Sequence, residues 1–256
     1  MLKTNCHKCG NLLRQAANFC SICGTSVGSV GPGKDSFAVE VSDTPHFFAW
    51  NEFKTILFLY ASFLSTIFIS GIASWFTTNP MRTVVTWIVL TGVTVFFVAG
   101  AKDSVLNMFS LKMLKPRLVL SVIFVAIVCF WFLNFYFSLF DLIQMEKLRV
   151  TSNFFKHGWP VWSVYFFSAF MPGLIEEIAF RGIIYSKLKE IFSTKEALFI
   201  QAACFSVLHL VPVIFISHLV MGLFLGWVRE RTHSLVLSVV FHMSWNALVI
   251  YNEIYS

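Results

Sequence analysis

WPVWSVYFFSAFMPGLIEEIAFR, residues 159–181, is the stretch on which the reading of this chain turns. Its first half is an apolar run of the kind that crosses a bilayer. Its second half then places two adjacent carboxylates, Glu176 and Glu177, and the guanidinium of Arg181 in the continuation of the same helix. An ionisable side chain costs a few kcal/mol or more inside a membrane, so each one found there is a functional candidate. A membrane helix that carries chemistry is therefore the starting point.

The rest of the chain supports a membrane setting. Of 256 residues, 57% are hydrophobic, thirty are phenylalanine, and only 12% are charged, against about 25% charged in ordinary soluble proteins. The mean hydropathy is +0.74. A soluble domain of this size cannot hide that much apolar surface, whereas a bilayer solvates it. Apolar runs recur at 55–76, 83–101 and 118–140, then from Trp159, and again at 197–210, 213–228 and 235–251. This predicts an all-α, polytopic transmembrane helix bundle of about seven spans, with the short fifth run inside the bundle.

Charge sets the orientation. Lys102, Lys112, Lys115 and Arg117 follow the second run, Lys187, Lys189 and Lys195 the fourth, and Arg229 and Arg231 the sixth. The first and second runs are separated only by Arg82, and the fifth and sixth by the uncharged Val211-Pro212. By the positive-inside rule the amino terminus is cytoplasmic and the carboxyl terminus outside. The net charge of +6 belongs to these loops, so no nucleic-acid partner is implied. No signal peptide is expected, because the first residues are polar and cysteine-rich.

Those first residues form a separate module. Cys6, Cys9, Cys20 and Cys23 make two CxxC knuckles, and Gly10 and Gly24 follow the second cysteine of each. Two residues between thiolates let both reach one ion, and four thiolates suit a closed tetrahedral structural zinc site. Two disulfides would fit poorly with a reducing cytoplasm. Residues 1–25 are thus expected to be a zinc ribbon, 26–53 a flexible linker and membrane approach, 54–150 the first transmembrane helices, and 151–256 the domain that carries the chemistry. The ribbon can dock a protein partner or serve only as an ordered tip.

Three polar clusters fall inside the apolar helices. Glu177 and Arg181 are four apart and read as a helix-internal ion pair. Glu176, rotated by about 100°, has no such partner on its face and is the candidate general base. His209 ends the run Phe205-Ser206-Val207-Leu208-His209; alone, such a histidine is more often a packing residue. His242 and Asn246 share a face and could equally be interhelical glue. Together, a carboxylate and a histidine can activate one water, and a His–Asn pair can donate to a developing oxyanion. HExxH is absent, and the GxSxG match Gly24-Thr25-Ser26-Val27-Gly28 falls where the cysteine module meets the linker, not among the apolar helices, so serine-elbow and zincin mechanisms have no support. His218, in the sixth run, could face the polar cavity but is expected to pack.

The ordered set Glu-Glu-x-x-x-Arg, Phe-x-x-x-His and His-x-x-x-Asn, with Gly222-Leu-Phe-Leu-Gly226 ahead of the third motif, resembles the CPBP family of CAAX proteases and bacteriocin-processing (Abi) enzymes over roughly residues 159–251. The resemblance implies an intramembrane endopeptidase acting on a membrane-associated or hydrophobic peptide or protein. Glu176 would be the water-activating base, His209 its partner, and His242 and Asn246 the oxyanion site, with Glu177 and Arg181 in support. The family carries a metalloprotease label, and Glu plus two His can hold a metal, so a catalytic metal stays open. A zinc ribbon ahead of such a domain is a bacterial arrangement and implies a bacterial cell membrane. The alternative is a non-catalytic membrane scaffold or bacteriocin-immunity protein whose zinc ribbon recruits partners.

Overall fold

The structure is a computed structural model and describes residues 45–100, 105, 107–110, 112, 115–139 and 151–255, together with Cys6, Cys9 and Cys20. It is all-helical, with no strand among the described residues. The helices are α1 Pro45–Ala73, α2 Met81–Ala99, α3 Pro116–Leu139, α4 Thr151–Lys156, α5 Val161–Leu188, α6 Thr194–Leu208, α7 Phe215–Thr232 and α8 Val236–Tyr255. Three of the described helices contain segments long and apolar enough to cross a membrane: Trp50–Ala73, Met81–Ala99 and Val161–Leu188. A shorter apolar segment runs over Pro116–Phe132.

Each apolar run of the sequence is a helix, but boundaries moved where polar residues extend one. Helix α1 starts at Pro45, ten residues before the first apolar run. Its early turns hold Glu52, which pairs with Lys187 at 2.5 Å. Trp50, half-exposed, is an aromatic of the kind enriched at membrane–water boundaries. Between α3 and α5, in the stretch that separates two apolar runs of the sequence, Thr151–Lys156 is a helix; it is anchored by the Thr151 N–H, which donates to Glu253 Oε1 at 3.0 Å.

Local sequence explains most helix ends. Asn79 Oδ1 accepts the Met81 N–H at 2.9 Å just ahead of α2, a side-chain turn typical of Asn. Ser193 and Glu196 form a reciprocal capping box at the start of α6, which satisfies two amide donors that a helix start leaves open. Helix α7 stops at His233, whose φ of 53° is left-handed, and the Leu235 N–H then donates to Met108 O at 2.8 Å.

Helix α5 is not a uniform α-helix. Its turns widen to a five-residue spacing at Phe166–Phe170 and at Ile178–Ile184: the Met171 N–H reaches Phe166 O, and the Tyr185 N–H reaches Phe180 O. Pro172 supplies a reason for the first. It has no N–H for the carbonyl four residues back, and its ring crowds that carbonyl. Such wide turns concentrate at functional positions, and Glu176 and Glu177 lie between the two.

Close helix contacts depend on three glycines, Gly173, Gly222 and Gly226. A Cβ on Gly173 would lie 2.5 Å from Met243 Cγ and 3.0 Å from the Met243 backbone nitrogen, so only glycine lets α5 approach α8 there. Gly222 is similarly pressed on Ala202, 2.9 Å from its Cα. At the same contact, Gln201 Nε2 donates to Gly222 O at 2.9 Å. Small residues that let backbones meet, with a side-chain amide as glue, are a membrane-helix packing solution. The main core fills the space between α1, α2 and these helices with Leu59, Phe63, Leu90, Phe180, Phe205 and Leu225.

Candidate active site

The contacts at Gly173 and Gly222 bring the polar residues of α5, α6, α7 and α8 into one buried cluster. Arg181 Nη1 donates to Glu177 Oε1 at 2.9 Å, and both side chains are fully buried. The ion pair read from their four-residue spacing is therefore present. The same Glu177 oxygen also accepts from His242 Nδ1 at 2.9 Å, across 65 residues of sequence. Sequence spacing carried no signal for that second bond.

With Nδ1 donating to Glu177, His242 turns its other nitrogen toward Glu176. His242 Nε2 lies 3.9 Å from Glu176 Oε2. Glu176 is buried, at 7% exposure, and its Oε2 has no protein hydrogen-bond partner. An unpartnered buried carboxylate oxygen is costly, and a water placed to one side of this gap can reach both atoms. The imidazole within ion-pair distance of Glu176 is thus His242.

His209, at the carboxyl end of α6, donates from Nδ1 to Phe205 O at 3.0 Å. That bond fixes the tautomer of a neutral ring and leaves Nε2 with its lone pair. His218, on α7, makes the same bond to Ile214 O at 2.9 Å. The two rings meet with centroids 4.0 Å apart. His218 therefore belongs to the cluster, which the sequence reading did not assign it to. The signal was the short Val211-Pro212 link, which turns α7 back so that its first turns face the end of α6.

Phe205 is the hub. The Arg181 guanidinium lies over its ring at 4.2 Å, a cation–π contact that strengthens when water is excluded. The rings of His209, His218 and His242 surround it at 5.1, 6.1 and 5.8 Å. Arg181 keeps Nε and Nη2 without protein partners, two further donors in the cluster. Asn246 is one turn beyond His242 on α8 and half-buried.

Away from this cluster, the cysteine module can hold a metal. Cys6, Cys9 and Cys20 bring their sulfurs within 4.8 Å of one another, and Cys9 and Cys20 Sγ are 3.6 Å apart. Thiolates at about 2.3 Å from a tetrahedral zinc would be separated by roughly 3.8 Å, so the spacing fits such an ion. Cys23 lies outside the described residues. Among the described residues this is the only group of three or more potential ligands so gathered; Glu176, His209 and His242 are not drawn together at that spacing.

Residues 158–248 match the family described as Type II CAAX prenyl endopeptidase Rce1-like. The matched segment contains Glu176, Glu177, Arg181, His209, His242 and Asn246, and it is consistent with the CPBP resemblance of the motifs. No curated protein and no solved structure matches the chain.

Proposed function

We propose that this integral membrane protein, whose residues 158–248 match the Rce1-like type II CAAX prenyl endopeptidase family, is an intramembrane endopeptidase that hydrolyses a membrane-associated or hydrophobic peptide. The observation that carries the proposal is Glu176: a buried carboxylate whose Oε2 has no partner and sits 3.9 Å from His242 Nε2.

In this reading Glu176 takes a proton from water, and the resulting hydroxide forms a bond to the scissile carbonyl carbon. Glu176 then returns the proton to the leaving amine as the C–N bond breaks. His209, with Nδ1 held by Phe205 O, accepts from the same water through Nε2 and holds it in line. His242 and Asn246 donate to the oxyanion. His242 does so as the imidazolium, whose charge the Glu177 carboxylate balances through Nδ1–H. Arg181 in turn holds Glu177. Residues 151–256 would form this catalytic domain and 54–150 the preceding transmembrane helices.

Glu176, His209 and His242 are not gathered at ligand spacing, and no step of this reading runs through a catalytic metal. The cysteine module, residues 1–25, would hold a structural zinc through Cys6, Cys9, Cys20 and Cys23, and offers a surface for a protein partner. The amino terminus would be cytoplasmic, the carboxyl terminus outside, and the membrane bacterial.

The test is cleavage of quenched hydrophobic peptides, with and without a C-terminal prenyl group, by the detergent-purified full chain. His209→Ala and Asn246→Ala should each lower kcat/KM by about 10²-fold or more with the fold retained. Wild-type rates in both variants would overturn these roles.

A further inference from the structure

Helices α1 and α2 diverge in how they meet. At one end they are tied: Arg82 Nη1 donates to Ser70 O at 2.8 Å and to Ser70 Oγ at 2.9 Å, and Thr86 Oγ1 donates to Ser70 Oγ at 2.8 Å. At the other end, where α1 begins and α2 finishes, a groove of about 780 Å³ opens between them. Lys54, Phe58 and Ser62 line it from α1, and Gly92, Phe96 and Phe97 from α2. Its floor is Val93 and Phe97, which pack against the core, and its walls are the exposed Phe58 and Phe96. The open side of the groove therefore faces the bilayer.

Its chemistry is graded. From Lys54 to Ser62 is eight residues, or about 12 Å along a helix, close to the depth of one leaflet's hydrocarbon. Exposed Phe58 and Phe96 supply apolar walls along that depth. Gly92 supplies the room, since a Cβ there would meet nothing within 4 Å. Lys54 sits at the mouth with its ammonium 5.2 Å over the Trp50 ring, and among the described residues no ion pair joins it to a carboxylate. The mouth lies on the face of the bundle that also carries Lys187 and Lys189. An apolar trough ending in a lysine at the headgroup level matches a molecule with a long hydrocarbon chain and an anionic head.

We propose that the groove between α1 and α2 is a binding site for a single anionic diacyl phospholipid. One acyl chain lies between Phe58 and Phe96 over Gly92, and the phosphate lies at Lys54. The site is separate from the Glu176 cluster and depends on the membrane setting alone, not on the proposed hydrolysis.

The full chain, purified in detergent and exchanged with equimolar phosphatidylglycerol and phosphatidylcholine vesicles, can be weighed with its retained lipids by native mass spectrometry. Wild type should keep one phosphatidylglycerol in preference to phosphatidylcholine. Lys54→Gln should weaken that retention by about fivefold, the effect of one lysine near an anionic surface. Gly92→Phe should abolish it by filling the trough, whereas Gly71→Phe, which also meets open space but lies at the tied end, should leave it unchanged. Equal retention of both lipids, no retained lipid on wild type, or undiminished phosphatidylglycerol binding in both Lys54→Gln and Gly92→Phe would overturn the proposal.

Discussion

Helices α1 and α5 are both apolar enough to span a bilayer, yet they use their surfaces in opposite ways. In the most apolar window of α1, and of α2, 17% of residues are buried inside the protein; in that of α5 the share is 56%. Glycine records the same contrast. Gly92 on α2 has nothing within 4 Å of a Cβ, while Gly173 on α5 has Met243 at 2.5 Å. So do polar groups. Ser62, Thr66 and Thr94 return their hydroxyls to carbonyls of their own helix, whereas the buried Glu177 accepts from Arg181 within α5 and from His242 across to α8. Lipid solvates a loosely covered helix well, because it only has to be apolar. A charge network inside the membrane must be sealed by protein and held by geometry, which demands close backbone contact.

The contrast can be broken at its strongest point with two arginines. Arg181→Ala removes a guanidinium at 0% exposure that holds Glu177. It should cost about 3–5 kcal/mol by stranding a buried carboxylate, read as a loss of thermal stability in detergent. Arg82→Ala, which loses two bonds to Ser70 in the lipid-facing pair, should cost only about 1–2 kcal/mol. Equal losses would erase the distinction between the regions.

The glycines sharpen it further. Gly173→Ala must push α8 away from α5 and should cost about 1–3 kcal/mol by overpacking; because Met243 adjoins His242, activity should fall with it. Gly92→Ala meets open space, and alanine's helix preference of about 1 kcal/mol over glycine makes a neutral or slightly raised melting temperature the expected result.

The smallest effect is a pH dependence at the end of α7. Burial raises the Glu230 carboxyl, but the hydrogen bond and charge of Lys189 and the hydrogen bond from Tyr185 outweigh it and hold its pKa below the ordinary value. A depressed folded-state pKa gives stability that is present above the unfolded-state value, about 4.3, and is lost as pH falls through the folded-state value. Melting temperature should therefore decline on acidification below about pH 4 by less in Glu230→Gln than in wild type. Identical acid profiles would remove this pair from the account.

Much of this was legible before any coordinates. Hydropathy marked all seven long helices among the described residues, and the i, i+4 spacing marked the Glu177–Arg181 pair, because both signals are local. The bond from His242 to Glu177 was not legible, since nothing in either motif says which carboxylate a ring 65 residues away will meet. His218 was read as packing because its partnership with His209 depends on the turn at Val211-Pro212 and not on its own helix. The helix at Thr151–Lys156 was missed because six residues carry too little periodicity to stand out. The widened turn that Pro172 favours is resolved only once neighbouring helices fix the backbone.

The central claim is that Glu176 activates water inside the membrane. It is tested most directly by measuring peptide cleavage with purified wild type and Glu176→Gln, matched for melting temperature. The account predicts that wild type cuts and that the variant is slower by about 10²-fold or more, the usual worth of a positioned general base. Cleavage by Glu176→Gln at the wild-type rate would contradict it.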